Sequence, residues 1–474
     1  MKRTTVCWLA AAAVVLTGLA AAPAAANVYA SGLKQTGPNS LSFILNENAD
    51  LGVTIQVWQV GGGMVYSESL GAKAKGTHTW AWNGSGASPG NVYKVKIVAS
   101  SSGYSSWTKI STDTPLTNFY SPRGVAVNTN PGSQYFGRVY VSESLGGTCA
   151  AGRTVQDGIY ILNADLSDAV GQGDNARTGG VAWSTTNSPF RVNVGPDNNV
   201  YVCDWSDLHS GLWMGDPDFN TATELLDSTG RDANGMNTTH GSISDFVVEG
   251  TGASRKIYTA DEDLPSSTSG QRGSIWRYDI GENDSFSGAP SGLLYDDLGT
   301  GGNLIFNYYN SLVRANDGTW WYSQDRSGSS TDTLLSLMQI SADGSTVLWR
   351  SVPDLAANSG ADPVRRTRGL AYDPVRNYLA LATYNAGKVH IFDPVTKTII
   401  TSITTVSNAT NRDVAFDAAG NLYIVDNVNE RLWVWSPGEG PNSFTTESWF
   451  TIPEPSSLAA LLLGLPLIAW RRRK

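Results

Sequence analysis

A three-strand unit recurs six times between residues 115 and 452, and this repeat constrains the fold more than any other feature. Each unit has a first strand led by a small or basic residue, a hairpin turn, a second strand that ends in an acidic residue in most units, and an aromatic-rich third strand. The first strands are PRGVAVN (122–128), PFRVNVG (189–195), SISDFVVEG (242–250), NSLVRAN (310–316), TRGLAYD (367–373) and NRDVAFD (411–417).

The spacing of these units predicts the blades of a β-propeller. First strands lie 44 to 68 residues apart, which is too long for a solenoid and suits four-stranded blades. We therefore predict six blades over 115–452, with seven blades kept as an alternative; the segment 107–112 could add a strand that closes the last blade. The candidate fourth strands are 179–185, 223–229, 292–297, 346–351, 398–403 and 447–452.

The repeat also resembles known propeller families. The pattern in RGLAYDPVRNYLAL (368–381) and RDVAFDAAGNLYIVDN (412–427) is similar to that of the NHL and the gluconolactonase-like or TolB-like six-bladed families. The resemblance implies two functions of different classes. One is a non-catalytic binding or structural propeller; the other is a calcium-dependent lactonase or esterase of the gluconolactonase-like kind.

Acidic residues at the ends of second strands are the candidate metal ligands. In a propeller they fall near one mouth of the central channel, where a ring of carboxylates could hold Ca²⁺ and activate water. The opposing interpretation is structural: an acidic residue repeated in most blades caps turns and bonds neighbouring backbone. No cofactor is predicted apart from this Ca²⁺. The candidates are Glu143, Asp204, Asp261, Asp325 and Asp426.

Arginines near the start of four first strands recur in the same way: Arg123, Arg191, Arg368 and Arg412. We expect them to pair with the carboxylates or with backbone carbonyls between blades. A channel that binds a polyanion is the alternative. No catalytic residue is assigned, because the sequence has no G-x-S-x-G elbow, H-E-x-x-H motif, P-loop or Cys/His metal spacing.

The region before the repeats reads as a small β-sandwich over 27–111. Short alternating stretches such as GVTIQVWQV (52–60) and VYKVKIVAS (92–100) are separated by Gly, Asn and Pro turns. The order of GGG (61–63), GTHTWAWNG (76–84) and NVYKVKIVAS (91–100) resembles the Ig-like domain of the flagellar hook-capping protein FlgD. That resemblance implies an accessory module without chemistry of its own.

The first 26 residues have the pattern of a secretory signal peptide. Lys2 and Arg3 precede an apolar run, and Ala24 and Ala26 form an A-x-A cleavage site. Export removes one of the three cysteines and leaves Cys149 and Cys203. In an oxidising compartment these two form either a disulfide or two free thiols, and the sequence leaves both open.

The C-terminal segment, 453–474, combines a Pro-Glu-Pro step, an apolar run and a terminal basic block. The apolar run of 458–470 is short for a membrane span, although counting from Pro455 gives a marginal one. This order resembles the PEP-CTERM sorting signal, with Ile452 where the family has Val. The resemblance implies a short transmembrane sorting helix that an exosortase removes. The matching residues are Pro453, Glu454, Pro455, Arg471, Arg472 and Arg473.

Charge restricts the partners. The net charge is −9, and six of the 33 basic residues lie in the terminal segments, so residues 4–470 carry 27 − 42 = −15. An acidic body argues against nucleic acid and against anionic membrane surfaces as binding partners.

Taken together, these features predict an all-β exported protein, anchored in the inner membrane only until it is processed. It then lies at the cell surface or in the extracellular matrix, with exopolysaccharide or another surface protein as partner.

Overall fold

A computed structural model describes residues 27–183, 188–205, 211–226, 243–261, 274–286, 290–295, 310–325, 336–351, 363–384, 387–406 and 410–454. The predicted signal peptide, and the predicted sorting segment from Pro455 onward, lie outside these residues. Within them, no helix has the length and apolarity needed to cross a membrane. The regular secondary structure of the described residues consists of β-strands and two single-turn 3₁₀ helices, Pro115–Thr117 and Gly252–Ser254.

The N-terminal region forms two sheets that pack face to face. Strands β1, β2 and β5 make one sheet, and β4, β3 and β6 lie side by side in the other. Alternate residues point inward, so Phe43 of the first sheet shares a core with Ile55 and Ile97 of the second. The strands are β1 Ala30–Gly37, β2 Ser40–Leu45, β3 Ala49–Gln59, β4 Met64–Lys73, β5 Gly76–Ala81 and β6 Val92–Ser101.

After a two-residue strand, β7 (Thr108–Lys109), the chain enters the first blade. Its sheet has three strands, β8 (Pro122–Val127), β9 (Val139–Glu143) and β12 (Gly158–Leu162). A hairpin of β10 (Gly147–Thr148) and β11 (Thr154–Val155) is inserted between β9 and β12. The predicted fourth strand at 179–185 is wrong, because isolated bridges from Ile159 to Arg177 and from Leu162 to Asp168 occupy that edge.

The next four blades are four-stranded antiparallel sheets in which the strands pair in chain order, and their predicted fourth strands are confirmed. The second blade has β13 Val192–Val194, β14 Val200–Asp204, β15 Gly211–Gly215 and β16 Ala222–Leu226. The third has β17 Ile243–Glu249, β18 Lys256–Asp261, β19 Ser274–Asp279 and β20 Gly292–Tyr295. The fourth has β21 Ser311–Arg314, β22 Trp320–Ser323, β23 Leu337–Ile340 and β24 Val347–Arg350. The fifth has β25 Thr367–Asp373, β26 Tyr378–Thr383, β27 Lys388–Asp393 and β28 Thr398–Thr404.

The sixth blade takes its outer strand from the other end of the chain. Strands β29 (Asn411–Phe416), β30 (Leu422–Asp426) and β31 (Arg431–Ser436) pair in order, and β7 then pairs with β31. Lys109 lies opposite Trp435 and Thr108 opposite Ser436. The closing role considered for residues 107–112 is therefore confirmed.

The six first strands form a closed ring. Each of β8, β13, β17, β21, β25 and β29 contacts the next, and β29 contacts β8 in turn. Val125 of β8 donates its backbone N–H to Asp413 of β29 at 3.0 Å across this last junction. The described residues therefore make a six-bladed propeller, in which the ring closes between the sixth and first blades.

The chain returns to the sandwich after the sixth blade. Strand β32 (Asn442–Glu447) pairs along β6, and β33 (Ile452–Pro453) pairs with Val92 and Tyr93 of the same strand. The prediction that residues 447–452 form the outer strand of the sixth blade is therefore wrong, because β7 already occupies that edge. Phe450 and Ile452 instead complete the sandwich core.

The sandwich packs against the hairpin loops of the first and sixth blades. Tyr29 lies beside Phe136 of the β8–β9 connection, with ring centroids 5.3 Å apart, and shares a small core with Ala419 of the β29–β30 turn. Asn421 also donates its side-chain amide to the Asn27 carbonyl at 2.9 Å. The N-terminal end of the described chain is therefore held against these two blades.

Candidate functional site

Two of the carboxylates at the ends of the second strands accept hydrogen bonds from backbone N–H groups. Glu143 accepts the N–H groups of Tyr120 at 2.8 Å, Ser121 at 2.6 Å and Leu145 at 3.3 Å. Asp426 accepts those of Thr410, Val428 and Asn429 at 3.1 to 3.2 Å. Both side chains tie the end of a second strand to the chain that leads into the first strand.

Two further candidates bond to side chains. Asp204 accepts the Ser188 hydroxyl at 2.6 Å. Asp325 pairs with Arg366 at 2.9 Å and with Arg368 at 2.6 Å, and its side chain is 2 % exposed. Asp261 pairs through its backbone with Ile243 and Ser274, and its side chain lies outside the described set.

The described members of this set are not gathered around one point. Ca²⁺ takes six to eight oxygen ligands. Among the residues that the structure describes, no three His, Cys, Asp or Glu side chains gather closely enough to share a metal ion.

The recurrent arginines divide into two roles. Arg123 donates to the Ser144 hydroxyl at 3.0 Å, Arg368 binds Asp325, and Arg412 donates to Asn427 at 3.3 Å. Each of these contacts reaches a residue at or just beyond the end of a second strand. The expected pairing with strand-end carboxylates therefore holds for Arg368.

Arg191 behaves differently, because it crosses the propeller axis. Its guanidinium donates to the carbonyls of Arg123 at 3.3 Å, Arg412 at 2.7 Å and Arg368 at 2.5 Å. It also pairs with Asp413 at 2.6 Å, and its side chain is 2 % exposed. One side chain of the second blade thus joins the first, fifth and sixth blades. This agrees with the expectation that the arginines bond to backbone carbonyls between blades.

Two carboxylates on first strands complete this axial cluster, and sequence reasoning missed both. Asp245 accepts the Ser311 hydroxyl at 2.5 Å and the N–H of Leu312 at 2.9 Å. Burial raises the pKa of Asp245 and brings that of Asp413 to about 7, although nearby Arg191 lowers both. The acidic residues that face the axis therefore lie on first strands. The acidic residues that were predicted near the axis lie at the ends of second strands.

A signal for these two acids was present in the repeat. Asp245 and Asp413 follow the register shift near the start of their strands, where the first and fifth blades have Gly124 and Gly369. The glycines leave no room for a side chain: an added Cβ at Gly369 would lie 2.8 Å from the Asp413 Cα. A strand position that holds Gly in two blades and Asp in two others therefore marks the crowded axis.

Below the cluster, a cavity of about 570 Å³ follows the axis toward the hairpins. All six first strands line it, mostly with apolar side chains such as Val125, Val194, Phe246 and Val414. Arg314 and Glu249 form an ion pair of 2.6 Å toward the hairpin ends of their strands. The cavity is thus lined by both apolar and charged side chains, and it includes Asp245 and Asp413 of the axial cluster.

The two cysteines that lie in the described part of the chain do not pair. Cys149 and Cys203 are both buried free thiols. Cys203 lies in the core between the second and third blades, and Cys149 lies in the inserted hairpin of the first blade, where its thiol donates to the Arg153 carbonyl at 3.1 Å. Their separate cores explain why the disulfide left open by the sequence is absent.

No family model matches this sequence, and no curated protein sequence is similar to it. Solved structures with some likeness include a gluconolactonase from Xanthomonas campestris, 16 % identical over 68 % of this chain and 88 % of its own, with a TM-score of 0.41. A protein of unknown function from Bacteroides thetaiotaomicron is 13 % identical over 86 % and 98 %, with a TM-score of 0.40. The WD40 propeller domain of Doa1 is 10 % identical over 71 % and 97 %, with a TM-score of 0.38. These likenesses are too distant to bear on activity, and the fold assignment rests on the sheet order above.

Proposed function

We propose that this chain is an exported, non-catalytic propeller protein that binds a partner at the cell surface or in the extracellular matrix. The observation that carries the proposal is the use of the strand-end acids. Glu143, Asp325 and Asp426 each have two or more donors within the fold, which supports a structural role in holding the blades together.

Delivery would follow from the two ends of the sequence. The signal peptide directs export, and the resemblance of 453–474 to a PEP-CTERM signal makes an exosortase the processing partner. The position of the motif supports this proposal: Pro453 ends β33, and Glu454 is 3 % exposed against the sandwich. A cut beyond Glu454 would remove the apolar run and leave the described fold intact. The sandwich would act as an accessory module of the FlgD Ig-like kind.

Mass spectrometry of surface material tests the delivery. We expect a mature form that begins near Asn27 and lacks Arg471 to Lys474. A chain without its last four residues provides the control, because it should stay in the membrane fraction. A surface form that keeps Arg471 to Lys474 would refute processing.

Metal content and lactone turnover test the absence of catalysis. The purified protein should contain no stoichiometric calcium and should hydrolyse gluconolactone no faster than its Glu143→Gln variant. Bound calcium together with turnover that Glu143→Gln or Asp204→Asn abolishes would replace the proposal with the lactonase alternative.

A further inference from the structure

A second cavity, of about 480 Å³, opens on the rim of the propeller between the fifth and sixth blades. Three separate parts of the chain build it: residues 106 and 107 before β7, the fifth blade with its outer strand β28, and Trp435 of β31 with residues 437–439 after it. The pairing of β7 with the end of β31 brings Trp107 to this edge of the sixth blade. We call this cavity the rim groove.

Aromatic side chains form the walls of the rim groove. Trp107, Trp435 and Tyr378 line it, and each is half-buried, packed on one side against the core between the two blades. Ile400 of β28 also lines it and is 47 % exposed. Rigid rings that are fixed by a core and open to solvent are suited to stacking against a flat ligand.

Polar groups alternate with these rings. The hydroxyl-bearing residues Thr401, Ser402 and Thr404 of β28 line the groove, and His390 bonds the Ser402 hydroxyl at 2.7 Å. At the other wall, Arg376 is held by Asp373 at 2.8 Å and by Glu439 at 2.5 Å. The groove therefore offers hydrogen-bonding groups in fixed positions and charges that already neutralise one another.

We propose that the rim groove binds a strand of neutral polysaccharide. Sugar rings present an apolar face to an aromatic side chain and hydroxyls to polar neighbours, which matches the alternation in this groove. The net charge of −15 over residues 4–470 disfavours an acidic polysaccharide. The proposal rests on the proposed function, because it names the class of matrix partner that the surface protein would hold.

The test measures binding of the exported protein, purified from cells that express the full chain, to cellohexaose, mannohexaose and chitohexaose. An acidic alginate hexamer and a Thr-rich extended peptide are included as competing ligand classes. We expect at least one neutral hexasaccharide to bind. Trp107→Ala should then weaken binding about fivefold or more, as loss of an aromatic anchor does, whereas Trp107→Tyr should retain most of it.

Ile400→Arg provides a second variant that leaves the core untouched and obstructs the groove. Its matched control is Leu348→Arg, because Leu348 is 52 % exposed on the outer strand of the neighbouring blade. Ile400→Arg should weaken hexasaccharide binding, and Leu348→Arg should leave it unchanged, with both melting temperatures near that of the parent protein.

Three results would overturn the proposal: no neutral hexasaccharide binds, only alginate or the peptide binds, or Ile400→Arg and Leu348→Arg weaken binding alike. These outcomes are separable from failure of the proposed function. If the protein reaches the surface but binds none of the neutral sugars, only the rim-groove proposal is rejected. If it binds them but stays unprocessed in the membrane, only the proposed delivery is rejected.

Discussion

At the scale of single residues, Arg191 links its own blade to three others through hydrogen bonds and an ion pair. Arginine suits this position because its planar guanidinium presents five donors in a fixed fork and keeps its charge when buried. Its bonds to three carbonyls and to Asp413 occupy the axis where a propeller often has an open channel. The charged cluster therefore acts as a structural plug between the two mouths.

Replacing Arg191 with Met should lower the free energy of unfolding by about 3–5 kcal/mol, because Asp413 is left buried without its partner. Chemical denaturation measures the change. Adding Asp413→Asn to this variant should recover part of the loss, since it replaces the unpaired carboxyl with an amide that does not ionise. As a control, Arg277→Met should cost less than about 1 kcal/mol, because its ion pair with Asp279 is 40 % and 45 % exposed. Equal losses for the two arginines would contradict the role of the axial plug.

At the scale of elements, β7 decides whether the ring closes. Beyond its two ladder pairs, the N–H of Ile110 reaches the Val434 carbonyl at 2.9 Å and the Ser111 hydroxyl accepts the N–H of Val434 at 3.0 Å. A short strand with continuing backbone bonds thus joins the start of the propeller to its end. It also places Trp107 in the rim groove.

Ile110→Pro should open this closure, because proline has no N–H to donate to Val434. We expect a loss of about 1–3 kcal/mol and faster amide hydrogen exchange over 431–436. Ile110→Val is the matched control, since it keeps the N–H and the β-branched side chain and should change exchange little. Unchanged protection of 431–436 in Ile110→Pro would show that β7 is not needed to hold the sixth blade.

At the scale of the whole molecule, sandwich and propeller are linked twice. The chain leaves the sandwich after β6 and comes back as β32 and β33 on the same strand. Thr446 also donates its hydroxyl to the Ala30 carbonyl at 2.7 Å, joining the two sheets of the sandwich. The sandwich is therefore incomplete until the propeller has been synthesised.

A chain that ends at residue 440 should have an unstable sandwich, because it lacks β32, β33 and the core side chains of Phe450 and Ile452. A chain that ends at residue 454 should melt as the full chain does. Because the shorter chain could also fail to fold, Ile452→Ala offers a milder test, with an expected loss of about 2–4 kcal/mol at a residue that is 1 % exposed. If both changes leave thermal unfolding unaltered, the returning strands contribute nothing to the sandwich.

Buried carboxyls make the stability of the molecule depend on pH. Burial raises the pKa of Glu47 to about 7, that of Asp413 to about 7 and that of Glu143 to about 8, all above the ordinary values of these carboxyls. The folded state thus binds more protons than the unfolded state in this range, so the free energy of unfolding should fall as pH rises from about 5 to about 8. Urea denaturation at several pH values measures the slope.

Glu47→Gln isolates one contribution to this slope. Glutamine can still accept the Tyr104 hydroxyl, which lies 2.9 Å from the Glu47 carboxylate, but it cannot titrate. The variant should therefore show a shallower decline between pH 5 and pH 8. A decline as steep as in the parent protein, or stability that rises with pH, would contradict the assignment of Glu47.

Strand positions were predictable because alternation and turn chemistry are local properties. The first strand 411–417 and the second strand 421–427 could be placed from their own residues, and the structure confirms them as β29 and β30. The structural interpretation of Glu143 and Asp426 was also accessible, since a carboxylate repeated in successive blades serves each blade in the same way. Asp245 and Asp413 were missed because the repeat was compared for hydrophobic pattern and not at the strand position that Gly124 and Gly369 share with them.

By itself, then, the sequence determined the repeat and the strand pattern of the sandwich before it, since these follow from residues close together in the chain. Only the tertiary structure decided that the ring closes with six blades, and which of residues 107–112 and 447–452 closes the sixth blade. Both have a strand pattern, and strand pairing depends on partners hundreds of residues away. It alone also showed that Arg191 bonds across the axis to three other blades, because the carbonyls that it reaches belong to residues far away in the chain.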